Sequence, residues 1–183
     1  RKEDYLKITK LGNERLSRIM PVYEEKRPWD GKLYLITYDV PEERKKDRDY
    51  LRDYLKRLNC GLLQRSVWLT PYNPKRLIAD LAKQTGLVDL VLVSELKEGS
   101  GIGGRRISDT VWKVYGLEKL NEEYREFVKQ VEAKKLAGIQ LIINYLSILK
   151  KDPQLPFELI PDSWRGEVAY DIYERKEKEF YPC

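Results

Sequence analysis

The sequence predicts an α+β protein: a small mixed unit in the order β-α-β-β-α-β, followed by a unit built only from helices. Three observations predict it. Residues 33–40, LYLITYDV, are almost all apolar or β-forming, the mark of a buried strand. Leu51, Tyr54, Leu55 and Leu58 then recur at i, i+3, i+4 and i+7, an amphipathic helix. Beyond residue 106 the strand pattern stops, and Leu117, Leu120, Tyr124, Phe127 and Val131 form one helical stripe.

The elements follow in order. Within residues 1–12, Tyr5, Leu6, Ile8 and Leu11 suggest a terminal strand closed by Gly12. Asn13 is placed to cap a short helix carrying Leu16, Ile19 and Met20, and Pro21 and Pro28 bracket a polar connector. Trp29-Asp30-Gly31 marks a boundary before the buried strand, which Pro41 ends. Pro41-Glu42-Glu43 opens the first helix, because proline suits a first turn and acids suit the positive end of the dipole. Asn59-Cys60-Gly61 stops it. Two short strands are expected near 62–64 and 66–70, with Pro71 and Pro74 after them. Leu77, Ile78 and Leu81 make one face of a second helix that stops at Gly86, and residues 87–96 make the last strand. This is a split-βαβ, ferredoxin-like order. Its helices should cover one sheet face and leave the other free, with a second copy as the simplest cover.

The glycine-rich stretch 97–106 reads as a flexible linker. It lacks the Gly-Lys-Ser/Thr ending of a phosphate-cradling loop. Residues 136–149 are apolar on most sides, as in a helix at the centre of a packed unit. A proline-punctuated extended segment follows, and Gly166 precedes a final helix to about Glu179. The expected domains are 1–28, 29–98 and 99–183.

Composition removes several function classes. There is no histidine, so Ser-His and Cys-His catalysis and histidine-ligated metals are absent. Cys60 and Cys183 offer neither zinc spacing nor a disulfide framework, and a reducing, cytoplasmic setting is expected. No apolar run approaches a membrane span. The net charge of +5 leans toward an acidic partner, but both signs are interspersed, as on any well-solvated surface. No cofactor is expected.

Two segments carry a family resemblance. One is Trp29-Asp30-Gly31 followed by LYLITYDVPEERKKDRDYLRDYLKRLNCGLLQRSVWLTP; the other is DPQLPFELIPDSWRGEVAYDIY. Together they resemble the phenylacetic-acid degradation repressor (PaaX) family. The first also resembles the small CRISPR adaptation protein of ferredoxin-like fold, through Tyr38-Asp39 and Gln64-Arg65-Ser66-Val67. The resemblance implies a bacterial, cytoplasmic, non-enzymatic regulator. It implies an N-terminal winged helix-turn-helix, a ferredoxin-like domain and a helical C-terminal domain. YLKITKLGNERL resembles the last wing strand and the helix leaving it, which makes Lys7 and Lys10 candidate DNA contacts. The chain opens on Arg1, so it is expected to be a fragment without its recognition helix. The implied partners are double-stranded operator DNA for the full-length protein, a small effector held between domains, and a second copy of the chain.

Candidate site residues follow. Asp39 ends the buried strand, and its counterpart in the CRISPR relative is linked to metal-dependent phosphodiester cleavage. A helix or turn cap is the simpler role, since no second acid accompanies it in the motif. Alternation along a strand would send Gln64, Ser66 and Trp68 to one face, as ligand or interface contacts or as neighbours bonded to one another. Trp112, with Tyr115 and Trp164, suggests an aromatic cage, against a plainer role in core packing. The basic run Arg44, Lys45, Lys46, Arg48, Arg52, Lys56, Arg57 could follow phosphates, but interleaved Asp47, Asp49 and Asp53 point to a solvated face. The competing functions are a metal-dependent nuclease built on Asp39 and a dimerising scaffold module.

Overall fold

The computed structural model describes residues 22–97 and 104–180. The expected N-terminal strand and short helix, with Lys7 and Lys10, and most of the glycine-rich stretch lie outside the described residues. Contacts divide the chain into two units. One holds 26–119 with 155–163, and the other holds 22–25 with 120–154 and 164–180.

The first unit is built on an antiparallel four-stranded sheet of β1 (Lys32–Tyr38), β2 (Gly61–Gln64), β3 (Val67–Thr70) and β4 (Val91–Lys97), in the order β2-β3-β1-β4. Strand β1, Lys32–Tyr38, is central and buries Leu33, Tyr34, Ile36 and Tyr38. Pro41 begins a tight turn, in which Arg44 N–H bonds Pro41 O, over a 3-10 segment Glu42–Arg44. The helix α1 proper runs Lys45–Arg57, later than the Pro-Glu-Glu signal suggested. It buries Leu51 and Leu55. Its stop is the expected Asn59-Cys60-Gly61 stretch, within which Asn59 takes φ 54. Asn59 N–H then bonds Lys56 O and Cys60 N–H bonds Leu55 O, closing the last carbonyls as a Schellman motif does.

Strands β2, Gly61–Gln64, and β3, Val67–Thr70, form a hairpin around Arg65-Ser66. Helix α2, Lys75–Thr85, buries Ile78, Leu81 and Ala82, whereas Leu77 points out, 46% exposed. Gly86 takes φ 66 at its end, and Leu87 N–H bonds Ala82 O. That bond keeps 87–90 out of the sheet, so the last strand, β4, is Val91–Lys97 rather than 87–96. Tyr38 pairs with Val91 and Lys32 with Lys97.

Ile36, Tyr38 and Trp68 meet Leu51, Leu55, Ile78, Leu81 and Leu87 in one core between the sheet and its two helices. The opposite face is not left free. Leu33 and Leu69 lie there and are fully buried. Helix α3, Ile107–Val114, comes down on β2 at Gly61. A Cβ on Gly61 would sit 2.3 Å from Val114 Cγ1, so only glycine permits this approach. Tyr115 O–H reaches past it to Asn59 O at 3.0 Å and Leu69 O at 2.9 Å. The other end of that face stays open: Leu92, register partner of Thr37, is 62% exposed.

The second unit is helical. Helix α4, Leu117–Glu132, contributes Leu120, Tyr124 and Phe127 to its core. Helix α5, Gly138–Leu149, adds Leu141, Ile142, Tyr145, Ile148 and Leu149. It is not buried all round, since Ile139 and Ile143, one turn apart, are exposed. Helix α6, Gly166–Phe180, is preceded by Trp164, whose indole lies over Gly166 and meets Tyr124 edge-on at 5.4 Å. Asn121 Oδ1 accepts the Arg165 N–H, satisfying a donor at the helix start. Among the described residues no helix is long and apolar enough to cross a membrane.

Candidate functional site

The sheet end beyond Tyr38 gathers most of the candidate residues. Tyr38 N–H bonds Ser66 O at 3.2 Å, which seats the hairpin turn against the end of β1. The Tyr38 hydroxyl is a hub: it donates to Arg65 O and accepts the Trp68 indole N–H at 3.4 Å. Asp39 N–H bonds Leu90 O, tying the same corner to the start of β4. Asp39, Gln64 and Arg65 are exposed around this corner and Ser66 is half-buried.

The hairpin changes the expected alternation. Gln64 ends β2, Ser66 lies in the turn and Trp68 lies on β3, so the three do not share a face of one strand. The register also shifts between Leu62 and Gln64. A two-residue turn reverses the chain, and the count of every second residue restarts after it. Trp68 is 2% exposed and packs in the core. The turn after Asp39 begins at Pro41, with no side-chain cap, so Asp39 does not cap that segment. Among the described residues no three acidic, cysteine or histidine groups gather as a metal site would need. Asp39 offers one exposed carboxylate, and hard cations ask for several oxygens.

The aromatic trio is divided between the units. Trp112 is half-buried on α3 and Tyr115 follows it, while Trp164 is buried in the helical unit with Tyr124. The basic run is also largely committed. Arg44 bonds Asp47 through Nε and reaches Gly86 O and Thr85 O, the free carbonyls ending α2. Arg48 pairs with Glu42 and Lys56 with Asp53, and Arg57 lies over the rings of Tyr50 and Tyr54. Sequence reasoning had no means to see Arg44 as a tie between helices, because its acceptors are backbone carbonyls some forty residues on.

Sequence reading also passed over Glu95. It sits on β4 between Lys75 and Lys32, and both ammonium groups hydrogen-bond it. Lys75 first and Lys32 second hold its carboxyl far down, to about 2. Asp30 is similarly placed: Oδ1 accepts Lys32 N–H, Oδ2 accepts the Tyr34 hydroxyl, and the Trp29 indole donates to Lys32 O. The Trp-Asp-Gly signal is thus a turn that aims β1. Cys60 is buried, and burial pushes its thiol up to about 12, which leaves no reactive thiolate.

Comparison with known proteins places the whole. Residues 26–107 match the family model of the PaaX protein central Cas2-like domain, and residues 115–183 match that of the PaaX-like protein C-terminal domain. The chain belongs to the PaaX-like family. It is 24% identical over 210 aligned residues to the transcriptional repressor PaaX of Escherichia coli (strain K12). That alignment takes in 95% of this chain and 65% of the repressor, so the chain spans somewhat less than two thirds of its relative. Among solved structures it is similar in fold to an uncharacterized protein from Mycobacterium tuberculosis. The TM-score is 0.61 at 17% identity, over 93% of this chain and 68% of that one.

Proposed function

We propose that this PaaX-like chain is the regulatory and dimerising portion of a DNA-binding transcriptional repressor that works in the cytoplasm without enzymatic chemistry. One observation carries the reading: the central and C-terminal PaaX family models match in succession along the chain. The name of the Escherichia coli relative supports the sign of regulation. Operator binding is assigned to the complete protein. In this reading residues 1–28 are the remnant of a winged-helix wing and its connector, 29–98 a ferredoxin-like domain and 99–183 a helical domain. The antiparallel order β2-β3-β1-β4 supports the second of these, since it is the arrangement a split βαβ repeat produces.

Lys7 and Lys10 are assigned to phosphates, where they supply charge but no sequence readout. The open end of the sheet, with Leu92 exposed, is assigned to a second copy. Gln64, Ser66 and Trp112 remain contacts for an effector or partner, whereas Trp68 acts from within by holding Tyr38. An effector releases DNA only as far as it favours one arrangement over another.

The test is fluorescence anisotropy with the full-length gene product and duplex DNA from the region upstream of its own gene. Specific binding should weaken steeply with salt, and Lys7→Ala or Lys10→Ala should each lower the log–log slope by about 1. Affinity no better than for random duplex would sink the repressor reading. A parallel incubation with magnesium or manganese checks the chemistry: DNA cleavage abolished by Asp39→Ala would make the protein a nuclease.

A further inference from the structure

The segment 22–25 lies next to the sheet unit in sequence, yet it is bound by the helical unit. Gln154 holds it. Its side-chain Oε1 accepts the Glu24 N–H at 2.6 Å, and its Nε2 donates to Val22 O at 2.9 Å. A primary amide here does what a neighbouring strand would do, pairing with the C=O of one residue and the N–H of the residue two further on. Helix α6 supplies a second grip. The Tyr23 ring stacks on Tyr170 at 4.1 Å and 17°, and the Tyr170 hydroxyl donates to Glu25 Oε1 at 2.9 Å.

Gln154 is itself set from the core. It sits at φ 49, a conformation that a non-glycine residue keeps only when its surroundings fix it. Its N–H bonds Asp152 Oδ1 at 2.7 Å, and Asp152 Oδ2 accepts the Tyr124 hydroxyl at 2.9 Å. Asp152 and Tyr124 are buried, and Tyr124 meets Trp164. A continuous line therefore runs from the aromatic core through a buried carboxylate to two hydrogen bonds on the connector. The grips at its outer end are exposed and polar. Such bonds are individually weak against water, so the contact is of a kind that opens and closes.

We propose that Val22–Glu25 is a releasable strap, held by Gln154 and Tyr170, through which the C-terminal helical unit governs the freedom of the polypeptide preceding the sheet. Repacking around Tyr124 and Asp152 would move Gln154 and loosen the strap. That the governed segment is part of a DNA-reading head rests on the repressor reading; the strap itself does not.

Hydrogen exchange with mass spectrometry on the 183-residue chain tests it without DNA. In the wild type the Glu24 amide is protected. Gln154→Ala should raise its exchange about tenfold, the change expected from losing one hydrogen bond of ordinary strength. Gln154→Glu should keep partial protection, since its carboxylate still accepts from Glu24 but cannot donate to Val22. Tyr170→Phe keeps the ring stack and should accelerate exchange less than Tyr170→Ala. Amides of β1 and α5 should be unchanged in every variant. An unprotected Glu24 amide in the wild type overturns the strap, as does equal acceleration of β1 and α5 in Gln154→Ala. Neither outcome touches operator binding by the full-length protein, so the two proposals fail separately.

Discussion

Replacing Gly61 by alanine puts one methyl group where α3 meets the sheet. The added carbon would lie 2.3 Å from Val114 Cγ1 and 3.1 and 3.2 Å from Cζ and Cε2 of Tyr115. Val114 is β-branched and cannot swing clear on a helix, so the helix end must lift. Lifting also stretches the Tyr115 hydroxyl away from Asn59 O and Leu69 O. Overpacking of this kind costs about 1–3 kcal/mol, and the hydrogen bond about 1 more. Alanine returns about 0.5–1 kcal/mol because glycine is costly in a strand. The net expectation is a loss of about 2 kcal/mol. Urea denaturation followed by circular dichroism measures it for Gly61→Ala, Val114→Ala and the double variant. Val114→Ala alone should cost about 1 kcal/mol, as a half-buried truncation. The double variant should be no less stable than Val114→Ala, because the collision has gone. If the two single losses simply add, the methyl does not meet Val114 and the reasoning is wrong.

Arg44→Ala should destabilise the sheet unit by about 1–2 kcal/mol, after allowing for a guanidinium that is 35% exposed, and Arg44→Lys should recover less than half in thermal melts. Full recovery by lysine would show that charge alone suffices. Glu95 has a depressed carboxyl, so its contribution is complete above its ordinary value of 4.5 and disappears as pH falls toward about 2. The gap in melting temperature between wild type and Glu95→Gln should therefore shrink on going from pH 7 to pH 2; a constant gap would refute the Lys32–Glu95–Lys75 cluster. In a Cys183→Ser background, Cys60 should resist a thiol reagent at pH 8 and react once urea unfolds the chain. Labelling of the native protein would contradict its burial. Tyr124→Phe should cost about 1.5–3 kcal/mol, because a buried carboxylate loses its donor. Tyr145→Phe should be neutral or stabilising, since the Tyr145 hydroxyl is buried without a hydrogen bond among the described residues; equal losses in the two would remove the distinction.

Much of the sheet unit was legible because its elements announce themselves locally. The nearly continuous apolar and β-forming run of β1 and the i, i+3, i+4 spacing of Leu51, Tyr54 and Leu55 follow from which residues must meet the core. Errors fell where one bond outweighs a pattern. Leu87 is apolar and reads as strand, yet its N–H closes α2 and its side chain fills the core beside Leu81. The Asn59-Cys60-Gly61 stop was legible, with Asn59 taking the left-handed conformation, but nothing in it showed that Gly61 is kept for a contact with a helix more than forty residues away. Tyr38 holds the Arg65-Ser66 turn against the end of β1, through its N–H to Ser66 O and its hydroxyl to Arg65 O. The expected common face of Gln64, Ser66 and Trp68 did not follow, because the hairpin turn lies inside the motif.

The long-range ties share one chemistry. Arg44 binds the carbonyls of Thr85 and Gly86, Tyr115 those of Asn59 and Leu69, Gln154 the backbone of Val22 and Glu24, and Asn121 the N–H of Arg165. In each, one polar side chain meets backbone groups far off in sequence. A backbone N–H or C=O looks the same in every residue, so that partner leaves no mark in the sequence, and the side chain resembles any surface arginine, tyrosine, asparagine or glutamine. Helix ends and strand edges supply these unpaired groups, and satisfying them fixes which ends come together. The basic run on α1 shows the consequence. Read as charge, Arg44 resembles a phosphate contact. Placed beside the open end of α2 it holds two helices in register, and its substitution should register in stability rather than in the salt dependence of DNA binding.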